Sequence, residues 1–260
     1  MSPLHKRMYK HFSELAPEYR ALRTTDLEPI RLICQKLNGL KPVTAADIGC
    51  GDGRYDLLLF EHMNNLHLTC IDGNEAMLGQ ASSYLKGHGF HNFITMKADA
   101  NDLPLKEGLF DFIFTFNAVH HFDFPKFVDG AATFTKNGGF IFIYTRLRSQ
   151  NMRNIWGHYF PLFSEKEFRL YELDYITEMV DSINGLSIES TERFQFNRKA
   201  TLEGLVDKVK GRHYSTFSLY KEDELDQALK EFQKNIRRQF QDTNRIEWLD
   251  ENILFILRVQ

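Results

Sequence analysis

The sequence lacks the residue patterns that mark several large classes of protein. It has only three cysteines, Cys34, Cys50 and Cys70, in 260 residues, and they form neither a C-x-x-C pair nor a Cys/His spacing suited to a metal. Isolated thiols in an odd number predict reduced cysteines, and hence a cytoplasmic protein without a metal centre. We expect Cys50 and Cys70 to pack as small apolar side chains on or next to buried strands.

Long apolar runs are also missing, and neither sign of charge dominates. No run approaches the roughly 18 apolar residues of a membrane-spanning helix, and the N-terminal residues, MSPLHKRMYKHF, do not resemble a signal peptide. With 32 basic and 35 acidic residues, the formal net charge is −3. We therefore expect no membrane partner and disfavour nucleic acid as a partner, although these numbers leave room for a local basic patch. Nothing in the sequence fixes the oligomeric state.

Aromatic residues, by contrast, are plentiful, since the chain has 23 Phe and 10 Tyr. Its 43% hydrophobic and 26% charged residues are typical of a globular protein. A chain of this length can form one α/β domain with attached helices and bury a large core. We expect many of the aromatic side chains in that core and others around a pocket for a planar or apolar substrate.

The segment 43–55, VTAADIGCGDGRY, organises the rest of the chain. An apolar run ends in glycines at alternate positions, Gly49, Gly51 and Gly53, and a second apolar segment follows at once. This order predicts a strand, a glycine turn and a helix. Glycine tolerates positive φ and lets a ligand lie against the backbone, while the N–H groups at the start of the helix point towards that ligand.

Two carboxylates belong to this segment. Asp47, at the end of the strand, is predicted to hydrogen-bond and fix the loop. Asp52 lies inside the loop, where a carboxylate disfavours a pyrophosphate and suits a ligand with a positive charge near it. Nicotinamide and flavin sites follow G-x-G-x-x-G, so the single-residue gaps here also speak against a dinucleotide. The stretch D-I-G-C-G-D-G resembles motif I of the class I S-adenosylmethionine-dependent methyltransferases, and the alternative is an ordinary glycine turn.

The next predicted strand, 66–71, is followed directly by Asp72. A carboxylate about 20 residues beyond the glycines lies where a ribose binds in a doubly wound sheet, and it can accept both ribose hydroxyls. Gly73 belongs to the same predicted cofactor site, and the resemblance implies that Met77 contacts the adenine face. The alternatives are a helix cap for Asp72 and core packing for Met77.

Two further predicted strands, 93–97 and 110–116, extend the resemblance. After the first, the family pattern implies that Asp99 accepts a hydrogen bond from the adenine amino group and that the Ala100 N–H donates to a ring nitrogen. After the second, the stretch N-A-V-H-H-F resembles motif IV. Asn117 is there placed to touch the methionine portion of the cofactor.

His120 and His121 follow at the substrate side of the predicted site. A histidine here can act as a general base if the acceptor is a hydroxyl or an acidic carbon. The alternative is structural, with the rings hydrogen-bonded to the loop or packed beneath it. The resemblance does not require a single catalytic residue, because the methyl group is already activated by the positive sulfur of the cofactor.

Residues 1–40 carry apolar side chains at helical spacing in two stretches, 11–22 and 27–40. The segment FSELAPEYRALR resembles the N-terminal helix that many of these methyltransferases lay over the cofactor. The resemblance makes Tyr19 and Arg23 candidates for the pocket wall, and Arg23 also for the cofactor carboxylate. A solvated amphipathic helix is the alternative.

Several local signals predict where elements begin and end. Thr25 or Asp26 is a candidate cap at the start of the second helix, and Gly39 is a candidate residue for its end. Ser164 with Glu167 forms a candidate capping box. The last strand-like residues, 246–259, are interrupted by D-E-N and predict a β-hairpin.

The rest of the chain, 148–260, completes the predicted sheet and adds helices rich in aromatic residues. In the resembled family a helical insertion before the last strand often closes over the substrate, and the segment TLEGLVDKVKGRHYSTFSL would do that here. Within it, Arg212, His213, Tyr214 and Ser215 can either meet an anionic substrate or form a solvated loop.

Together these patterns predict an α/β fold with a doubly wound, mostly parallel seven-stranded sheet of the Rossmann-like methyltransferase type, its last strand antiparallel, and a helical cap. Residues 1–40 would form the cap, 41–147 the S-adenosylmethionine-binding core, and 148–260 the remaining sheet and the lid. The predicted function is methyl transfer from S-adenosylmethionine to a small-molecule acceptor, closest to the ubiquinone and menaquinone biosynthesis group. The alternatives are an NAD-dependent oxidoreductase and a non-catalytic S-adenosylmethionine-binding module.

Overall fold

The described residues of the computed structural model, 3–37 and 43–260, fold around a seven-stranded sheet. In chain order its strands are β1 (Val43–Ile48), β2 (Leu66–Asp72), β3 (Phe93–Lys97), β4 (Phe110–Phe116), β5 (Thr135–Thr145), β6 (Leu186–Ala200) and β7 (Ile246–Val259). Across the sheet the order is β3-β2-β1-β4-β5-β7-β6. Because the strand order reverses between β1 and β4, ligands are expected at the carboxyl ends of these two strands.

Strand directions follow the prediction. β1 pairs in parallel with β2 and β4, and the parallel pairing extends to β3 on one side and to β5 on the other. β7 pairs antiparallel with both β5 and β6, so among the described strands it is the one that runs against the rest. The central strands are apolar on both faces because helices cover both sides of the sheet. The predicted fold class is therefore confirmed.

The helices, in chain order, are α1 (Pro3–Leu15), α2 (Tyr19–Leu22), α3 (Glu28–Lys36), α4 (Arg54–His62), α5 (Glu75–Gly87), α6 (Phe124–Phe134), α7 (Arg148–Arg153), α8 (Ile155–Tyr159), α9 (Phe163–Lys166), α10 (Leu173–Asp181), α11 (Leu202–Lys210) and α12 (Glu222–Gln239). Two 3₁₀ segments, Val119–His121 and Ser215–Leu219, complete them. The helix predicted over 11–22 is interrupted between α1 and α2. The interruption contains Pro17, whose ring removes a backbone donor and disfavours helical conformation in the preceding residue.

Apolar layers form on opposite faces of the sheet. Ile33 of α3 and Leu59 of α4 belong to the cluster on one face, and Phe127 of α6 and Val180 of α10 belong to the cluster on the other. A further cluster, which contains the buried Trp156 of α8, joins the C-terminal helices to one another. Each such large side chain contributes about 1.5–3 kcal/mol by leaving water. The two sheet layers therefore fix the strand ends on which the site is built.

The predicted hairpin at the end of the chain is wrong. β7 runs without a turn through Asp250, Glu251 and Asn252, and its ladder with β6 continues across them. These residues stay extended because arginines bind their side chains: Arg146 donates to Asp250 and Asn252, and Arg153 donates to Glu251. The long β6–β7 ladder therefore continues beyond its pairing with β5.

The two predicted helix-start signals are wrong as well. α3 has no side-chain cap, because Asp26 instead accepts hydrogen bonds from an arginine of β6 and a tyrosine of β5. Glu167 does not cap a helix with Ser164 but accepts hydrogen bonds from Arg169. The helix end predicted at Gly39 lies outside the described residues.

Candidate functional site

Two neighbouring cavities open near the carboxyl ends of the parallel strands. The larger cavity has a volume of about 630 Å³ and lies over the glycine loop that follows β1. The smaller cavity, of about 190 Å³, is lined by residues of β5, β6, β7 and the C-terminal helices. Arg54 and Asn117 line both cavities, so the two volumes meet at these side chains.

The larger cavity gathers most of the residues that the sequence predicts to bind a cofactor. Those that line it are Tyr19, Gly49, Gly51, Asp72, Gly73, Met77, Asp99, Ala100, Asn117 and also His121. They come from α2 and from the segments after β1, β2, β3 and β4. Residues far apart in the chain therefore meet in one place because the parallel strands end at one edge of the sheet.

The three glycines of the loop have positive φ but different surroundings. A Cβ on Gly49 (φ +80°) would lie 2.5 Å from the Cβ of Ala118, and a Cβ on Gly53 (φ +79°) would lie 3.1 Å from Ala81. A Cβ on Gly51 (φ +58°) would meet no described atom within 4 Å. Gly49 and Gly53 are therefore needed for close packing, whereas Gly51 leaves space open in the larger cavity.

Asp72 ties the loop to the end of β2. Its Oδ2 accepts a hydrogen bond from the Gly51 N–H at 3.0 Å, and its Oδ1 accepts one from the Asn74 N–H at 2.7 Å. Burial raises the pKa of Asp72, although these two donors oppose the change. The Asn74 side chain caps α5 and donates to the backbone oxygen of Tyr9 and the hydroxyl of Ser13. The carboxylate is thus fixed in place, and α1 is fixed with it.

The segment after β3 and helix α5 supply a fixed acceptor and an apolar surface to the larger cavity. The Asp99 carboxylate accepts hydrogen bonds from the N–H and the side-chain amide of Asn101, each at 2.9 Å. Met77 is 2% exposed and packs in a small cluster with Tyr19. A carboxylate and an apolar side chain in one cavity suit a flat heterocycle with a donor on its edge.

Asn117 lies at the junction of the two cavities in an uncommon backbone conformation. Its φ is +54°, a region that non-glycine residues seldom occupy. Its N–H donates to the backbone oxygen of Tyr144 at 2.7 Å, and its side-chain amide donates to the hydroxyl of Tyr55 at 3.5 Å. Strain of this kind persists where the surrounding structure imposes it, and it is frequent at functional sites.

The two predicted catalytic histidines face different cavities. His120 lines the smaller cavity, and its Nδ1 has no hydrogen-bond partner among the described residues. His121 lines the larger cavity, where its Nδ1 lies 3.3 Å from an Arg169 nitrogen and its ring meets that of Phe12 edge to face. Burial and nearby positive charge lower the pKa of His120 to about 3 and the pKa of His121 well below its usual range. Both rings are therefore neutral near pH 7.

Two predicted cofactor residues lie behind the loop rather than in the larger cavity. Gly53 precedes the first residue of α4. Asp47 is 1% exposed, and the hydrogen bonds that the sequence predicts from it to the loop do not form within the described residues. Burial and the neighbouring Asp56 carboxyl raise the pKa of Asp47 well above its usual range. We infer that the pair holds one proton.

Two expectations about charged side chains at the site also need correction. Arg23 does not line the larger cavity; it lines the smaller one and donates to the Tyr19 hydroxyl at 2.9 Å. Asp52 does not face a ligand, because it is 1% exposed and forms ion pairs with Arg20 at 3.1 Å and Arg54 at 3.7 Å. The electrostatic argument against a pyrophosphate is therefore wrong, since these two arginines neutralise the carboxylate.

Sequence reasoning missed several residues of the larger cavity. Arg54 begins α4 directly after the last glycine, and Asn74 is an N-cap that standard helix-start signals would have found. Tyr9 and Phe12 of α1 line the cavity on another side, and no local pattern distinguishes them from the rest of an amphipathic helix. Of the predicted lid residues, His213, Tyr214 and Ser215 line the smaller cavity, whereas the Arg212 side chain pairs with an acidic residue of α12.

The described residues contain neither a metal-binding cluster nor a membrane-spanning helix. No cluster of three or more histidine, cysteine, aspartate or glutamate side chains in residues 3–37 and 43–260 is arranged to hold a metal ion. Over the same residues, no helix has both the length and the apolar character needed to cross a bilayer.

Comparison with known proteins identifies the central part of the chain. Residues 45–139 match the family model described as a methyltransferase domain. A curated relative, the malonyl-[acyl-carrier protein] O-methyltransferase of Geobacter sulfurreducens, is 28% identical over 110 residues, which are 42% of this chain and 40% of the relative. The chain thus matches about two fifths of the length of that relative.

Solved structures extend the likeness to most of the chain. A methyltransferase candidate from an antibiotic biosynthesis pathway of Anabaena variabilis has a TM-score of 0.67 at 20% identity, covering 90% of this chain and 98% of that one. Geranyl diphosphate methyltransferase in complex with S-adenosylmethionine has a TM-score of 0.58 at 12% identity, covering 90% and 85%. At these identities the structural likeness shows the fold. With the domain match, it confirms the predicted resemblance to class I methyltransferases.

Proposed function

We infer that this protein, a methyltransferase of the class I fold, transfers a methyl group from S-adenosylmethionine to a small-molecule acceptor by in-line displacement. One observation carries the proposal. Asp72, Asp99 and Asn117, from the ends of different strands, line a single cavity of about 630 Å³, and all three belong to the matched segment, 45–139.

The residues of the larger cavity fit an adenosine-bearing cofactor. Its volume of about 630 Å³ lies within the roughly 300–1,000 Å³ typical of small-molecule sites. Gly51 leaves open space where a ligand can approach the backbone. Each oxygen of Asp72 accepts one backbone hydrogen bond and keeps a further lone pair, so the carboxylate can still accept ribose hydroxyls.

We assign the predicted binding roles to the residues that line the larger cavity. Asp72 would bind the ribose, with Gly73 beside it, and Asp99 and the Ala100 N–H would bind the edge of the adenine. Met77 would cover the adenine face. Gly49 and Gly51 would let the cofactor lie along the loop, while Tyr19 and Asn117 would line the methionine portion. Asp47, Gly53 and Arg23 would act indirectly, by supporting the loop and Tyr19.

The chemistry required of the protein is modest. When bound, the cofactor would supply a methyl group already activated by its positive sulfur. The chain then has to align the acceptor and exclude water where the two cavities meet at Asn117 and Arg54. His120 is neutral, and its Nδ1 meets no partner in the described part of the chain, so it would take a proton from the acceptor. Because its low pKa makes it a weak base, this role suits an acceptor that ionises easily. His121 would help position the reactants from the larger cavity.

The flanking segments would restrict access to the site. Residues 1–40 would form a cap, because α1 lines the larger cavity with Met8, Tyr9 and Phe12. Residues 41–147 would form the cofactor-binding core, and 148–260 would supply the lid through the segment that contains Tyr214. The three free cysteines support a cytoplasmic location.

Calorimetric titration with S-adenosylhomocysteine and, separately, with NAD tests the proposal. We expect the first to bind and the second not to bind. Incubation with methyl-labelled S-adenosylmethionine and a fractionated metabolite extract should then label a small acceptor. Binding of NAD without binding of S-adenosylhomocysteine would overturn the proposal in favour of an oxidoreductase. Cofactor binding without any labelled acceptor would favour a non-catalytic binding module.

A further inference from the structure

The smaller cavity contains more positive than negative side chains. Among the described residues, six cationic side chains and three acidic ones line it. The cations are Arg23, Arg54, Arg146, Arg198, Lys199 and Lys208, and the acids are Asp26, Glu167 and Asp250. The chain as a whole has a formal net charge of −3. The positive excess is therefore a local property of this cavity.

The acidic side chains are already bound to arginines. Asp250 lies 2.5 Å from Arg146 and 3.5 Å from Arg198, and Asp26 lies 2.6 Å from Arg198. Glu167 is 4% exposed and pairs with an arginine outside the cavity lining. These pairs leave no free carboxylate among the acidic side chains that line the cavity in the described structure.

Three of the cations have no carboxylate partner in the part of the chain that the structure describes: Arg23, Lys199 and Lys208. Arg23 is half-buried, and its Cζ lies 4.9 Å from the ring centroid of Tyr19 and 5.1 Å from that of Tyr214. Its Nε is buried and has no hydrogen-bond partner among the described residues. Lys208 is half-buried on α11. A half-buried cation without a carboxylate partner is partly desolvated and uncompensated, and an anion in the cavity would offset that cost.

The neighbouring histidines respond to the same positive field. Burial and nearby positive side chains lower the pKa of four histidines, and Arg23 is one of those side chains in every case. The pKa falls to about 3 for His11 and His120 and well below the usual range for His121 and His213. Burial and Arg198 likewise lower the pKa of Lys208. The histidines therefore add no positive charge near pH 7, and the field comes from the arginines and lysines.

Flat aromatic surfaces accompany these cations. Trp156, Phe163, Tyr214 and Trp248 also line the smaller cavity. The cavity of about 190 Å³ is less than a third of the larger one in volume. A ligand that fills it is therefore small, and it presents an apolar or planar part to these rings.

We propose that the methyl acceptor is a small molecule with an anionic group, a carboxylate or a phosphate, which Arg23, Lys199 and Lys208 bind in the smaller cavity. The inference rests on the proposed function, because it takes this cavity as the acceptor site. The shared Arg54 and Asn117 place the acceptor beside the cofactor cavity, and the unpaired cations fix the end of the acceptor that carries the charge.

Three probes with one benzene ring test the charge preference: benzoate, phenyl phosphate and benzamide. Each is titrated calorimetrically into the protein, with and without saturating S-adenosylhomocysteine. We expect at least one anion to bind tenfold or more tightly than neutral benzamide. The preference for benzoate or for phenyl phosphate then distinguishes a carboxylate from a phosphate ligand.

Two lysines on α11 provide a matched pair of variants. Lys208→Met should weaken anion binding about tenfold and leave benzamide binding unchanged, whereas Lys210→Met, at an exposed position that lines neither cavity, should change neither. If melting curves show that Lys208→Met does not fold, Lys199→Met at the exposed rim replaces it, with the same expected loss.

Equal affinity for the three probes, or no binding of either anion at millimolar concentration, would overturn the inference. So would an equal loss in both α11 variants. Failure of S-adenosylhomocysteine to bind in the same experiment would instead count against the proposed function. The titrations without that compound would still decide the charge preference of the smaller cavity.

Discussion

Replacing Asp72 by alanine tests the cofactor assignment most specifically. In the structure its oxygens accept hydrogen bonds from the Gly51 and Asn74 N–H groups at 3.0 and 2.7 Å, and the ribose would take the remaining lone pairs. A hydrogen bond to a charged group contributes about 1.5–3 kcal/mol. Loss of one ribose bond should therefore weaken S-adenosylhomocysteine binding by roughly 10- to 150-fold, as measured by calorimetry.

The same substitution also releases the glycine loop, so the two effects must be separated. The 2′-deoxy analogue of S-adenosylhomocysteine lacks one of the hydroxyls that Asp72 would bind. Wild-type protein should bind this analogue much more weakly than the parent compound, whereas Asp72→Ala should bind both about equally. If Asp72→Ala still prefers the parent compound as strongly as wild type does, the carboxylate only supports the loop. An unchanged dissociation constant in Asp72→Ala would refute both roles.

Three further predictions concern the loop, the buried carboxyl pair and the histidines. Gly51→Ala adds a methyl group to open space at φ +58°, so it should weaken S-adenosylhomocysteine binding at least tenfold and lower the free energy of unfolding by only about 1–2 kcal/mol. Gly49→Ala, whose Cβ would lie 2.5 Å from another Cβ, should lower the free energy of unfolding further in urea titrations. The reverse ranking of the two variants would contradict the packing. Burial raises the pKa of Asp56 to about 6, above the roughly 3.9 of an unfolded aspartate, so the ionised side chain destabilises the fold increasingly as pH rises from about 3 to 7. Asp56→Asn should therefore gain about 3 kcal/mol in free energy of unfolding relative to wild type across that whole range. A constant difference would show that the pair binds no extra proton. His120→Gln should lose most turnover while cofactor binding persists, and His121→Gln tests the other ring in the same assay. Because the pKa of His120 is about 3, a His120-dependent inflection near pH 6.5 would argue against its assigned environment.

The residues of the larger cavity, which we propose as the cofactor site, could be predicted because their signals are local. β1, β3 and β4 are apolar runs whose predicted bounds match the structure. In a parallel sheet the residue after each such strand lies at a common edge, so Asp72 and Asp99 could be assigned to one site from their positions alone. The glycine spacing then led to the ligand that we propose.

The smaller cavity, which we propose as the acceptor site, could not be predicted, because it depends on side-chain direction and on long-range pairs. Asp250 lies in a stretch with the composition of a turn, yet Arg146, more than 100 residues away, holds it in a strand. Arg23 belongs to an ordinary amphipathic segment, and it lines the smaller cavity only because the folded chain brings that segment next to β5, β6 and β7. Asp52 fits a ligand-facing role in sequence, but the distant Arg20 binds it instead.

A crystal structure of the protein with S-adenosylhomocysteine tests the central claim most directly. The account predicts the ribose against Asp72, the adenine edge at Asp99 and Ala100, and the sulfur near Asn117, directed towards the smaller cavity. Density for the ligand outside the larger cavity, or a glycine loop closed over Gly51 with no ligand bound, would contradict it.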